Sequence, residues 1–183
     1  MRLRTLGYAA CVLGITGCAQ PLPSILDVNV NKLSEEEAVL IVSAGAEETC
    51  TSFSSAFVIK ESIKQASLSE SIGVYQLNNS FLESDFEGEY AKVYSTVMKP
   101  GKYDLWIYSQ NPFFEFEEPT FTQPFEIKGG EVTYIGEINS DGCNSMYITV
   151  KDRRERDLNH IRTYTPSLNI NKVVYKPAMI RQQ

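Results

Sequence analysis

Apolar residues in this chain recur in short runs, most of them alternating with polar ones, and turn residues punctuate the runs about every ten positions. That pattern constrains the fold more than any other feature, because period two is the strand period and runs this short leave little room for long helices. Strands are predicted over 38–42, 53–60, 72–77, 90–98, 103–109, 121–128, 131–138 and 145–150. Two hairpins stand out. One joins 90–98 to 103–109 across Lys99-Pro100-Gly101-Lys102, where Pro sets φ and Gly supplies positive φ. The other joins 121–128 to 131–138 across Gly129-Gly130, with Pro124 placing its first strand at an edge or a bulge. Asp141-Gly142 turns the chain into the last of these strands. The chain therefore reads as mainly β, an antiparallel β-sandwich of about 7–9 strands with one short C-terminal helix.

The helix is predicted over 152–164, with Asp152 as N-cap, Leu158, Ile161 and Tyr164 at helical spacing, and Pro166 as the stop. A final strand could run through Ile170, Val173, Val174 and Tyr175. Ser34-Glu35-Glu36-Glu37 has the form of a capping box, yet the Ala38-Val39-Leu40-Ile41-Val42 run after it is β-branched and better suited to a buried strand. Residues 18–33 read as an irregular tether with room for a short edge strand at 25–30. Residues 34–176 read as the sandwich domain and 177–183 as a flexible tail.

The N-terminus carries an address. Arg2 and Arg4 precede a short apolar segment, 6–15, too brief to span a bilayer as a stable helix. Ile15-Thr16-Gly17-Cys18 then resembles the lipobox of bacterial lipoproteins. The resemblance implies a signal peptide over 1–17, cleavage before Cys18, acylation of that cysteine and a domain in the cell envelope. The alternatives are an ordinary cleavable signal or an uncleaved N-terminal anchor. Ala19 after the cysteine, in place of aspartate, implies sorting to the outer membrane in a Gram-negative host. Loss of Arg2 and Arg4 would take the formal charge from −6 to −8. Such a chain gains nothing electrostatically from nucleic acid, and anionic lipid surfaces are poor partners beyond the acyl anchor. Cleavage would also remove Cys11 and leave Cys50 and Cys143, which in an oxidising compartment read as a disulfide, the alternative being two buried thiols.

MKPGKYDLWIYS followed by FEIKGGEVTYIGEI is similar to the middle of small immunoglobulin-like or transthyretin-like domains in bacterial lipoproteins of unassigned function. The matching positions are Pro100, Gly101, Tyr103, Gly130, Glu131, Val132, Tyr134 and Gly136. These are turn and core residues, so the resemblance implies a fold and carries no active site.

Catalytic chemistry finds little purchase. The single histidine, His160, sits on the predicted helix, and no Gly-x-Ser-x-Gly elbow occurs. The scarcity of His and Cys argues against a zinc site, and no cofactor is expected. Asp85, Glu87 and Glu89, and Glu115 and Glu117, alternate as acids do on one face of a half-exposed strand; paired carboxylates for glycan hydrolysis, or calcium at 85–89, are the sharper alternatives. Trp106, Tyr108, Phe113, Phe114 and Phe116 form an aromatic cluster. Either they display a binding surface, with the 111–119 loop at its centre, or that loop folds back and buries them. Arg153-Arg154-Glu155-Arg156 reads as a solvated helix face pairing with nearby acids, or as a contact for phosphate groups. The function expected is a non-enzymatic envelope module that binds or assembles with a protein partner. A lipid-anchored glycan hydrolase and the outer-membrane lipoprotein of a secretion apparatus are the alternatives.

Overall fold

The structure is a computed structural model, and it describes residues 24–51, 55–62, 72–109, 120–142 and 147–181. Two five-stranded sheets pack face to face. The first contains β1 (Ala38–Ala46), β4 (Tyr90–Met98), β8 (Val132–Ser140), β9 (Ile148–Lys151) and β10 (Val174–Tyr175). The second contains β2 (Ser55–Glu61), β3 (Gly73–Gln76), β5 (Gly101–Ser109), β6 (Thr120–Phe121) and β7 (Phe125–Ile127). The mainly β sandwich, with a single α-helix among the described residues, α1 (Arg154–Tyr164), is as the pattern predicts. The first sheet is mixed, however: β8 runs parallel to β1 and to β10.

Both predicted hairpins are arches between sheets. β4 pairs with β1 while β5 pairs with β2, so Lys99-Pro100 carries the chain from one sheet to the other. β7 pairs with β5 while β8 pairs with β1, so Gly129-Gly130 does the same. Two alternating strands around a turn bury their apolar faces equally well side by side or across the core, and periodicity does not distinguish the two. Gly129 answers a close crossing: a Cβ there would lie 1.9 Å from Glu35 O. Gly129→Ala is therefore expected to destabilise the protein by about 1–3 kcal/mol, as overpacking against a backbone that cannot yield. Denaturant unfolding that matches wild type would disprove that crossing.

The core between the sheets includes Leu40, Val42, Phe57, Ile59, Tyr103, Leu105, Ile107, Ile135 and Ile138. A second cluster lies on the outer face of the first sheet, where Val39, Ile41 and Tyr134 meet Leu158 and Ile161 of α1. β1 is thus covered on both faces, which accounts for its unbroken apolar run.

Two terminal segments depart from expectation. The second half of the tether is docked: Ile25 is fully buried in a 3-10 turn, Ile25–Asp27, which Ser24 and Asp27 close as a reciprocal capping box. Val28, Val30 and Leu33 pack on the same cluster, and no strand forms there. The tail is a strap. Ala178 N–H donates to Ile135 O at 2.9 Å on the first sheet, Gln123 N–H donates to Met179 O at 2.7 Å beside the second, and Arg181 pairs with Asp104 at 3.2 Å. Apolar side chains at Ala178 and Ile180 reach the core and hold these residues down. At 34–37 Glu37 Oε2 accepts from the Ser34 N–H and hydroxyl, half of a capping box with a strand after it in place of a helix.

Candidate functional site

A β-bulge builds the most distinctive site. Ile41 stands opposite Tyr134 but Ser43 stands opposite Glu137, so two residues of β8 face one of β1. Gly136 makes the bulge possible with φ +104°, and a Cβ on it would lie 2.7 Å from Val150 Cγ1. The extra residue flips the side-chain parity of β8. Ile135 and Ile138 both face the inter-sheet core, while Glu137 is turned to the outer face under α1. Gly45 makes room for it, since a Cβ there would stand 2.5 Å from Glu137 Cδ.

Arg156 of α1 meets Glu137. Its Nη2 donates to Glu137 Oε2 at 2.6 Å and its Nε to Asp157 Oδ1 at 2.8 Å, while Nη1 lies 3.1 Å from Glu89 Oε1. Phe86 packs its ring 4.2 Å from the guanidinium. Glu137 is 2 % exposed and Asp157 fully buried. The other Asp157 oxygen, Oδ2, accepts from Tyr134 OH at 2.6 Å and Ser43 Oγ at 2.5 Å. Burial works against the Arg156 charge, but Asp157 and Glu137 outweigh it and hold the guanidinium above its ordinary range. Arg154, two positions before it, is an ordinary surface group that forks onto Asp152 and stacks over Tyr175 at 4.1 Å. The run 153–156 therefore contains one buried clamp, which its uniform charge pattern did not single out. The signal that could have found it is Gly136 in the middle of a strand, the mark of a bulge.

A cleft of about 380 Å³ opens beside the clamp, lined by Glu47, Glu89, Glu137, Asn139, Lys151 and Arg153 among others. Of the acids named from sequence, Asp85 and Glu89 are tied to the framework, while Glu87 is exposed. Asp85 accepts from Val93 N–H at 2.7 Å and lies 3.5 Å from Lys92, so with Ser84 it caps the free edge of β4. Glu89 faces Arg153 and Arg156. His160 lies 3.8 Å from Asp85 and against Phe86 and Tyr164. Among the described residues no three His, Cys, Asp or Glu side chains are grouped to hold a metal ion.

Buried tyrosines give this framework an alkaline limit. Burial, and then the Asp157 charge, push the Tyr134 hydroxyl up; burial raises Tyr94 and Tyr75 likewise, and burial with Asp85 pushes Tyr164 up to about 12. A tyrosine raised in the folded state favours folding below its unfolded value near 10, and that contribution is lost as pH rises through the folded value. Stability is expected to hold up to about pH 10 and to fall between about pH 10 and 12. Tyrosinate absorbance followed beside denaturation midpoints checks this; ionisation of every tyrosine near pH 10 with unchanged midpoints would refute it.

Of the other residues singled out from sequence, Trp106 and Tyr108 stand half-buried on the outer face of the second sheet. Lys60 sits 4.0 Å over the Trp106 ring, and Val58 and Lys60 on that face are 0 % and 3 % exposed. That face is therefore not a bare aromatic display. Phe113, Phe114, Phe116, Cys143 and Cys18 lie outside the described residues, as do Glu115 and Glu117. Cys50 is buried, and its N–H donates to Asn78 O at 2.7 Å. Asn78, fully buried, also accepts from Ser55 N–H and donates to Gly142 O at 3.3 Å. Comparison with family models, curated proteins and solved structures yields no match.

Proposed function

We propose that this protein is a lipid-anchored component of the bacterial cell envelope, held through Cys18 and acting without catalysis as a binding or assembly module for a protein partner. The observation that carries the reading is that the clamp is directed inward. Arg156, Glu137, Asp157, Tyr134 and Ser43 direct their polar atoms at one another and join helix to sheet, which serves rigidity. The address comes from the Arg2, Arg4 and Ile15-Thr16-Gly17-Cys18 pattern, and the fold class agrees with the small immunoglobulin-like or transthyretin-like lipoprotein domains that the 90–150 region resembles. Outer-membrane placement rests on Ala19.

A Cys50–Cys143 bridge belongs to the same proposal. What supports it is that Asn78 binds both the Cys50 backbone and Gly142, the residue before Cys143 in sequence. The second reading, a glycan hydrolase using paired carboxylates, draws on the cleft where Glu47, Glu89 and Glu137 converge. Against it, the Glu137 carboxylate is already engaged by Arg156 at 2.6 Å.

Intact mass of the membrane-extracted protein beside Cys18→Ala tests the proposal. An acylated chain starting at Cys18, lost in the variant, is expected; crosslinking in the membrane should then recover envelope protein. An unacylated chain overturns the anchored reading, and glycan cleavage that Glu137→Gln abolishes would replace the binding module with the hydrolase.

A further inference from the structure

We propose that the face of the sandwich bearing α1 and residues 24–33 lies against the bilayer, with Leu26 in the interface and Lys32, Arg162 and Lys172 toward lipid phosphates. This rests on acylation at Cys18. Three observations carry it.

The first is reach. Ile25 is fully buried and Ser24 is held by its capping box, so the folded body starts six residues after Cys18. Six residues span at most about 20 Å even when fully extended, so an acylated Cys18 holds this part of the domain close to the membrane surface. The second is apolar exposure. Leu26, next to that pivot, is 62 % exposed, and its neighbour Ile25 shares a cluster with Ile161 of α1, which fixes the helix on the same side.

The third is charge. Residues 24–33 and 152–176 hold seven Lys and Arg against four Asp and Glu, a net of +3 in a chain whose total is −6. Lys32, Arg162 and Lys172 are exposed there, with no carboxylate partner among the described residues. Arg153, Arg156 and Lys176 are already paired with Glu89, Glu137 and Glu131, so the charge offered to lipid is that of Lys32, Arg162 and Lys172. The opposite sheet presents Val74, 55 % exposed and paired with Val58, on the far side of the molecule.

The test uses the full acylated protein in vesicles of phosphatidylethanolamine and phosphatidylglycerol, with p-benzoylphenylalanine placed at position 26 or at position 74. Mass analysis of the same samples reports acylation. Lipid photocrosslinking at 26 is expected to exceed that at 74 several-fold, and Lys32→Glu, Arg162→Glu and Lys172→Glu combined should lower it. Equal or reversed yields on an acylated chain overturn the orientation and leave the anchor intact. Yields at 26 that ignore the charge reversal overturn the phosphate contacts. A chain that carries no acyl group sinks the anchored reading and this one together.

Discussion

Arg156→Ala is expected to destabilise the protein by about 3–5 kcal/mol, the range for removing one partner of a buried ion pair. The cost comes mainly from what is left behind. Glu137 and Asp157 are 2 % and 0 % exposed, and without the guanidinium Asp157 would keep only hydroxyl partners and Glu137 only an amide and the more distant, half-exposed Arg153 at 3.9 Å. Arg156 itself is 17 % exposed, so solvent screens the pair only weakly. Arg154→Ala is the control: its pairing with Asp152 is half exposed, and solvent leaves such a pair little to contribute. Arg156→Lys should fall between the two, because one ammonium cannot fork across two carboxylates. Urea unfolding of the three variants decides the matter, and equal losses for Arg156→Ala and Arg154→Ala would show that the clamp is not what fastens helix to sheet.

Reduction of the protein is expected to cost about 4 kcal/mol, and Cys50→Ala should remove the same amount and abolish the response to reductant. The chain-entropy account sets the scale: a cross-link between positions 50 and 143 closes a loop of more than ninety residues, for which about 4–5 kcal/mol is lost from the unfolded-state constraint. Asn78→Ala should itself be destabilising, since it removes the side-chain partners of the buried Ser55 N–H and of Gly142 O, while the backbone bond to Cys50 stays. Unfolding curves that coincide with and without reductant would mean the two cysteines are not joined.

Local patterning was enough for the elements. Alternation placed β4 at its observed bounds, the β-branched 38–42 run gave a strand buried on both faces, and Leu158 and Ile161 do point α1 at the sheet. Each of these depends on neighbours within a few residues, where period and turn chemistry act directly. Partner choice was not legible. The turns at 99–102 and 129–130 look like hairpin turns, but their strands pair with β1, β2 and β5 far away in sequence. Nor was the clamp. Arg153, Arg154 and Arg156 are alike as letters, and only the parity flip at Gly136, which turns Glu137 outward onto Gly45 and beneath α1, makes one of them a buried partner. By itself the sequence determined most strand positions and the helix, because those are short-range properties. The tertiary structure alone decided which strands adjoin, which ends are tied down and which charges are buried, because those depend on contacts that close over long loops.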